Sequence, residues 1–180
     1  MAIQMLSNPF PHEMPDRFIA AMAGAATQVS VVTTDGPAGR YGVTVSAFSS
    51  VSAEPPLVLV CINRRSPAIA AIAQNNAFCV NLLGDDQARV ANCFAGRPGD
   101  VEPYDFTCAD WGVADTGAPV LEGAIANFDC TVEATHDAGT HRIFIGRVQQ
   151  ARSQSRPPLA FSNRAYQALQ PLHQTERPNA

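Results

Sequence analysis

Between Val43 and Ile62 the pattern of hydrophobic and polar positions changes twice. Thr44, Ser46, Phe48, Ser50 and Ser52 fall on one side of an extended strand, and Val43, Val45, Ala47, Ser49 and Val51 on the other. One side is apolar enough to enter a core, while the other presents hydroxyls, with Phe48 the exception. After Glu54-Pro55-Pro56, the run Leu57 to Ile62 is apolar at both parities, which predicts a strand buried on both faces. Asn63, Arg64, Arg65 and Ser66 end that strand. Ser66 is placed to cap a helix opening at Pro67 over "PAIAAIAQNN".

The same reading extends along the chain. "PDRFIAAMAGAA" sets Phe18 and Met22 one turn apart and predicts a short helix packed on the core. "QVSVVTTD" predicts a strand, and Gly36 to Gly39 a turn that returns the chain antiparallel. "AFCVNLLG" predicts another buried strand, followed by a helix over "DQARVANCFAG" capped by Asp85 or Asp86. "AIANFDCTVEATH" alternates, with Ala124, Ala126, Phe128, Cys130, Val132 and Ala134 on its apolar face. "DAGT" is a hairpin turn, "HRIFIGRVQQA" the returning strand, and "SRPPLAFSNRAYQAL" a short extended piece running into a polar tail. Between Arg97 and Pro119 the chain is rich in Gly, Pro and Asp, with Tyr104, Phe106 and Trp111 embedded; it is either slack or pinned by those aromatics. Strands outnumber helices and hairpin links dominate. The expected architecture is a mainly β, small antiparallel barrel with a few short helices.

At 180 residues the chain suits one domain with a real core, here residues 15–170, preceded by an arm (1–14) and followed by a tail (171–180). A net charge of -4 gives no reason to invoke nucleic acid. All twelve cations are arginine, which excludes a lysine Schiff base to a cofactor. Five cysteines, no two in a C-x-x-C pair, point to reduced thiols in the cytoplasm, with neither a disulfide framework nor a metal site. The amino terminus lacks a basic start followed by an apolar run, so no signal peptide is expected, and no apolar stretch is long enough to span a membrane.

The candidate chemistry gathers in the opening stretch. A helix start beside Arg64 and Arg65 suits a phosphate, because orphan N–H groups and guanidinium forks converge there. The alternative is that the serines fit a crowded strand and the arginines are solvated surface charge. The residues alone favour neither strongly. His141 opens a strand just after a turn; His12, His136 and His173 have no comparable context and read as surface residues.

Taken in order, "GVTVSAFSSVSAEPPLVLVCINRRSPAIAAI", "FCVNLLGDDQARVANCFAG", "GTHRIFIGRV" and "PLAFSNRAYQ" resemble the short-chain flavin reductases with the FMN-binding split-barrel fold. The likeness spans about Arg17 to Tyr166, and is nearest the reductase components of two-component aromatic, phenol-type monooxygenases. It implies a homodimer that reduces free FAD or FMN with NADH and passes reduced flavin to a separate oxygenase, with FAD and NADH favoured. It further implies a flavin site along Val43, Thr44, Val45, Ser46, Ser49, Ser50 and Ser52. Cys61, Ile62 and Asn63 would lie beside the same groove, with Arg64 and Ser66 on the phosphate. Asn81, Leu82 and Leu83 would flank the ring, and Arg164 would join the cofactor contacts. His141 matches the family's Gly-x-His segment and would position the nicotinamide without acid or base work. Two rival readings use the same barrel: a non-catalytic flavin store or electron relay, and an oxidase of the pyridoxamine-phosphate type.

Overall fold

The computed structural model describes residues 13–170. Its main sheet has seven antiparallel strands. Their spatial order is β3 (Tyr41–Val45), β2 (Ser30–Thr34), β6 (Ala77–Leu82), β9 (Ala126–Ala138), β10 (His141–Ser153), β5 (Pro56–Asn63) and β4 (Phe48–Ala53). The two edge strands, β3 and β4, are joined through Ser46 and Ala47 alone. Laid flat, seven strands about 4.8 Å apart would hold those edges about 29 Å from each other. Three Cα steps reach at most about 11 Å. The sheet must therefore roll until its edges meet, and they meet at this crossover, where Cys61 N–H donates to Ala47 O at 3.0 Å. β3 pairs only with β2, and β4 only with β5, so the roll stays open along a seam. This is the split antiparallel barrel that the sequence predicts.

The period of two places one core on each side of the sheet. Val32 joins Val60, Phe78 and Phe144 inside the roll, where α2 (Ala68–Asn75) adds Ala68 and Ile72. Val31, one residue earlier, joins a second core with Leu83, Leu121, Leu159 and Phe94, the last from α3 (Ala88–Phe94). β2 is buried throughout because both its faces are covered. A small sheet of β1 (Thr27–Gln28), β11 (Leu159–Ser162) and β12 (Ala165–Ala168) closes the second core. β7 (Trp111–Val113) pairs with β8 (Pro119–Leu121) in the long segment. That segment is pinned: Phe94, Phe106 and Trp111 pack edge to face with centroids 4.9–5.5 Å apart, and Trp111 Nε1 donates to Phe106 O at 2.9 Å. Tyr104 lies outside this aromatic cluster and is half exposed, but its N–H donates to Cys93 O at 3.0 Å and so ties the segment to α3.

Several local expectations change. The hydroxyl strand is two strands, because the chain must cross the seam at Ser46–Ala47. β5 alternates between buried and half-buried residues instead of being buried on both faces, since only its inner side meets the barrel core. In β9 the supposedly polar side is buried at Asn127 and Asp129; Asp129 accepts from the Thr116 N–H at 3.0 Å and the Thr116 hydroxyl at 2.5 Å. No aspartate caps the helix after β6: Gln87 Oε1 accepts from Gly84 N–H at 3.0 Å, while Asp86 pairs with Arg156. The extended piece near the end is a full hairpin, β11–β12. The largest change is α1 (Glu13–Ala23), whose Met14, Phe18, Ile19 and Met22 are 52–63% exposed and do not pack on the core. The expected arm and tail fall outside the described residues, except for the start of α1 at residue 13.

Candidate functional site

Two clefts lie on the strands that the Ser46–Ala47 crossover ties together, one at β3 and one at the end of β5. The first is a narrow slot of about 160 Å³ at the open end of β3, lined by Thr44, Val45 and Ser46 on one wall and by Arg97, Phe161 and Tyr166 among others on the opposite side. β3 is an edge here, so its outer backbone groups carry no ladder partner and can meet a ligand. Hydrogen bonds fix the walls. Thr44 Oγ1 donates to Ala91 O at 2.8 Å, tying β3 to α3, and the Tyr166 hydroxyl donates to Asn92 Oδ1 at 3.0 Å, tying β12 to the same helix. Phe161 and Tyr166 pack edge to face at 5.6 Å, giving the slot an aromatic wall.

The second cleft is wider, about 480 Å³, and is lined by Asn63, Arg64, Arg65, Gly139 and Thr140. β5 ends here against the β9–β10 turn, where Gly139 takes φ +56° in a two-residue loop. The loop after β5 is held by Arg64 N–H to Thr140 O (3.0 Å) and by Asn63 Oδ1 accepting from Arg65 N–H (3.0 Å). Ser66 Oγ accepts from Ala68 N–H at 3.3 Å, and Pro67 has helical dihedrals, so Ser66 serves the start of α2 as the sequence suggests. His141 is exposed beside this cleft, in register with Asn63, with Nδ1 3.0 Å from Thr140 Oγ1.

The electrostatics are those of a cationic rim. Arg142 makes a two-point contact to Asp137 (2.6 and 3.1 Å), and these bonds hold the Asp137 carboxyl below its ordinary range, with the nearby charge of Arg64 adding to the effect. Arg64 stands 4.0 Å from the same carboxylate, a loose pair that leaves its guanidinium half exposed. Burial raises the Tyr166 phenol, with Arg97 opposing the shift. All five cysteines are free thiols; burial pushes the Cys61 thiol up and raises that of Cys130 to about 12, so these are poor nucleophiles. Among the described residues no cluster of three or more His, Cys, Asp or Glu could hold a metal ion.

The structure thus brings Thr44, Val45 and Ser46 together with the Cys61–Ser66 segment and His141 around one crossover. It does not bring in every expected residue. Ser49, Ser50 and Ser52 climb β4 away from the slot, and Ser52 Oγ bonds Glu54 O at 3.0 Å. Arg164 sits exposed at the tip of the β11–β12 turn with φ +63° and lines neither cleft. Val43 and Leu82 pack against the barrel core, and Ile62, Asn81 and Leu83 are buried in the interior, so the side chains of these three cannot flank a ring. The Asn81 amide serves the protein itself. Its Nδ2 donates to Val31 O (3.0 Å) and Thr33 Oγ1 (3.1 Å), and its Oδ1 accepts from Leu121 N–H and Asn127 Nδ2 (both 2.8 Å). Sequence reasoning missed Arg97, Phe161 and Tyr166. The available signal was the Leu159/Phe161 alternation followed by Asn163-Arg164 and Tyr166, a hairpin with one aromatic face.

An open antiparallel barrel with a hydroxyl-edged aromatic slot and an arginine-bearing cleft has the chemistry to suit a flat ring joined to a phosphate. Comparison with known proteins gives the family. Residues 22–170 match the family described as "Flavin reductase like domain", and the chain belongs to that family of oxidoreductases. It is 43% identical over 150 residues to the FMN reductase (NADH) RutF 2 of Methylorubrum extorquens, covering 83% of this chain and 86% of that one. The solved structure of BorF, the flavin reductase component of a bacterial two-component tryptophan halogenase, superposes with TM-score 0.77 at 32% identity, covering 86% of this chain and 98% of that one. The Streptomyces globisporus NADH:FAD oxidoreductase SgcE6, in complex with NAD and FAD fragments, gives 0.79 at 28%, covering 88% and 94%. The expected cofactors, flavin and NADH, agree with these names.

Proposed function

We propose that the chain reduces free flavin with NADH and releases the product to a separate flavin-dependent oxygenase. The observation that carries this reading is the pair of clefts, one lined by Ser46 at the crossover and the other at the end of β5, the strand whose Cys61 N–H bonds Ala47 O. The residues fit the group: Phe161 and Tyr166 offer an aromatic wall, Thr44, Ser46 and the unpaired β3 backbone offer donors and acceptors for a ring edge, and Arg64 and Arg65 line the neighbouring cleft where a phosphate would lie. Both clefts open to solvent, as suits a ligand that must leave each turnover. FMN would place its ring in the slot and its phosphate in the second cleft, and the longer FAD, which the family resemblance favoured, would extend from the same phosphate position. Bound flavin supplies the chemistry by accepting a hydride from the nicotinamide, so the protein needs no nucleophile. Its residues orient the ring, hold the phosphate and exclude water from the slot.

The oxygenase partner is a flavin-dependent enzyme; an aromatic substrate is the proposal carried over from the sequence. The free thiols suit the reducing cytoplasm, and among the described residues no helix is long and apolar enough to cross a membrane. Dialysed, colourless protein that oxidises NADH only when flavin is added supports this function. Protein that keeps its yellow colour and does not turn over supports the storage reading, and turnover of an amine substrate without NADH supports the oxidase.

His141 stands beside the Arg64 cleft, and we assign it to nicotinamide contact. His141→Ala is expected to raise KM for NADH and slow hydride transfer about 5- to 30-fold, the loss of one contact of about 1–2 kcal/mol, with flavin affinity unchanged. Flavin titration alongside stopped-flow reduction separates the two; weak flavin binding with normal NADH handling would reverse the assignment.

The molecule is proposed to act as a homodimer. Met14, Phe18 and Met22 recur every fourth residue of α1 and are 52–63% exposed, a stripe that a two-fold partner would cover. Sedimentation at micromolar concentration is expected to show a dimer, and Phe18→Glu to weaken it; a stable wild-type monomer would refute this.

A further inference from the structure

We infer that Arg97 stabilises the negative charge that appears on the flavin ring when it is reduced, and so tunes the reaction from the wall of the slot. The inference rests on the proposed flavin reductase function and names a residue that the sequence pattern did not single out. Arg97 follows α3 and lines the slot opposite Thr44 and Ser46. Its guanidinium lies 5.8 Å from the centre of the Tyr166 ring, and Nη1 is 3.4 Å from Asn92 Oδ1. Asn92 Oδ1 also accepts the Tyr166 hydroxyl at 3.0 Å, so one amide orients both the aromatic wall and the cation that leans over it.

Arg97 also lacks a counter-charge. Arg40, Arg64, Arg89, Arg142, Arg147 and Arg156 each stand within 4.0 Å of a carboxylate, whereas no such pair is found among the described residues for Arg97, nor for Arg65, Arg152 and Arg164; of these four, Arg97 is the one that lines the slot. Its only side-chain partners found there are neutral. Arg97 is exposed and borders Asp100 on its outer side, and its contacts to a neutral amide and an aromatic face leave its charge unpaired at the slot.

Reduction makes use of that charge. The nicotinamide C4–H bond breaks and a bond to flavin N5 forms; two electrons and one proton move together as hydride, leaving NAD+ and a reduced flavin that is anionic near neutral pH. Oxidised flavin has a neutral ring. A fixed cation beside the ring therefore favours the product over the reactant, a differential interaction of the kind that accelerates a step. The same cation repels the positive nicotinamide ring that remains.

The test compares the two oxidation states of one ligand. Dissociation constants for oxidised and for reduced FMN are measured anaerobically with wild type, Arg97→Ala, Arg97→Lys and Tyr166→Phe. Arg97→Ala is expected to bind oxidised FMN within about twofold of wild type and reduced FMN about 10-fold more weakly. That ratio lowers the potential of the bound two-electron couple by about 30 mV. Arg97→Lys should restore most of the difference, and Tyr166→Phe, which frees Asn92 Oδ1 for Arg97 without removing charge, should keep the tighter binding of reduced FMN that Arg97→Ala loses. Equal weakening of both states by Arg97→Ala would make Arg97 a general or structural contact and overturn the inference, as would no change in either. A wild-type protein that binds no flavin would instead refute the function on which it rests.

Discussion

Replacing Asn81 by Leu is expected to cost about 3–5 kcal/mol of stability, with a fall in melting temperature of roughly 10 °C. Leucine has the same branching and number of heavy atoms as asparagine and is somewhat bulkier, so the effect is not that of a cavity. Asn81 is fully buried and its amide joins three segments: Val31 and Thr33 of β2, Asn127 of β9, and Leu121 of β8. An apolar replacement leaves the Leu121 N–H without its acceptor, leaves the Asn127 amide with only Leu121 O at 3.3 Å, and takes the donor from Val31 O and Thr33 Oγ1, all in a place that water does not reach. Each stranded group costs about 1–3 kcal/mol. Chemical denaturation measures the loss directly. A change below about 1 kcal/mol would mean that the network re-forms without Asn81, and its burial would no longer explain why a polar residue interrupts an apolar strand.

Arg64→Ala is expected to weaken FMN binding about 10- to 100-fold and to leave riboflavin binding unchanged, because charge-assisted bonds to a phosphate contribute about 1.5–3 kcal/mol. Folding stability should change little. Among the described residues the only carboxylate found near Arg64 is Asp137 at 4.0 Å, both side chains are about half exposed, and such surface pairs contribute about 0–1 kcal/mol. Asp137 also keeps its two-point contact with Arg142 in the variant. Parallel titrations with FMN and riboflavin isolate the phosphate. Equal losses for both ligands would place Arg64 against the ring or the ribityl chain and remove the phosphate from the second cleft.

The sequence makes the barrel readable where each strand has one core, and less so where it has two. β10 and the two-residue turn before it follow directly from local pattern and turn chemistry. Asn127 and Asp129 look solvent-facing because alternation assumes one wet side, and here a second core and the β7–β8 segment cover it. Asn81 looks like a ligand contact for a related reason: its polarity is visible in sequence, but the partners that satisfy it come from positions up to 50 residues away. In the site, Thr44 to Ser46 and Arg64 to Ser66 were legible because the break between strands and the helix start are local signals. Arg97 and Tyr166 were not. They reach the slot only through α3 and the β11–β12 hairpin, whose joint placement depends on Asn92, a tertiary contact that no local period encodes. The apolar stripe of α1 was legible as a stripe, but sequence cannot say whether its cover lies in the same chain.

The central claim is that flavin passes through the slot as a substrate and is not kept there. Under anaerobic conditions, a trace of protein is mixed with an excess of FMN and of NADH, and the loss of the flavin's visible absorbance is followed. The account predicts bleaching of many equivalents of FMN per protein chain, with NADH consumed one for one. Bleaching that stops at one equivalent per chain, or NADH that is not consumed at all, would contradict it.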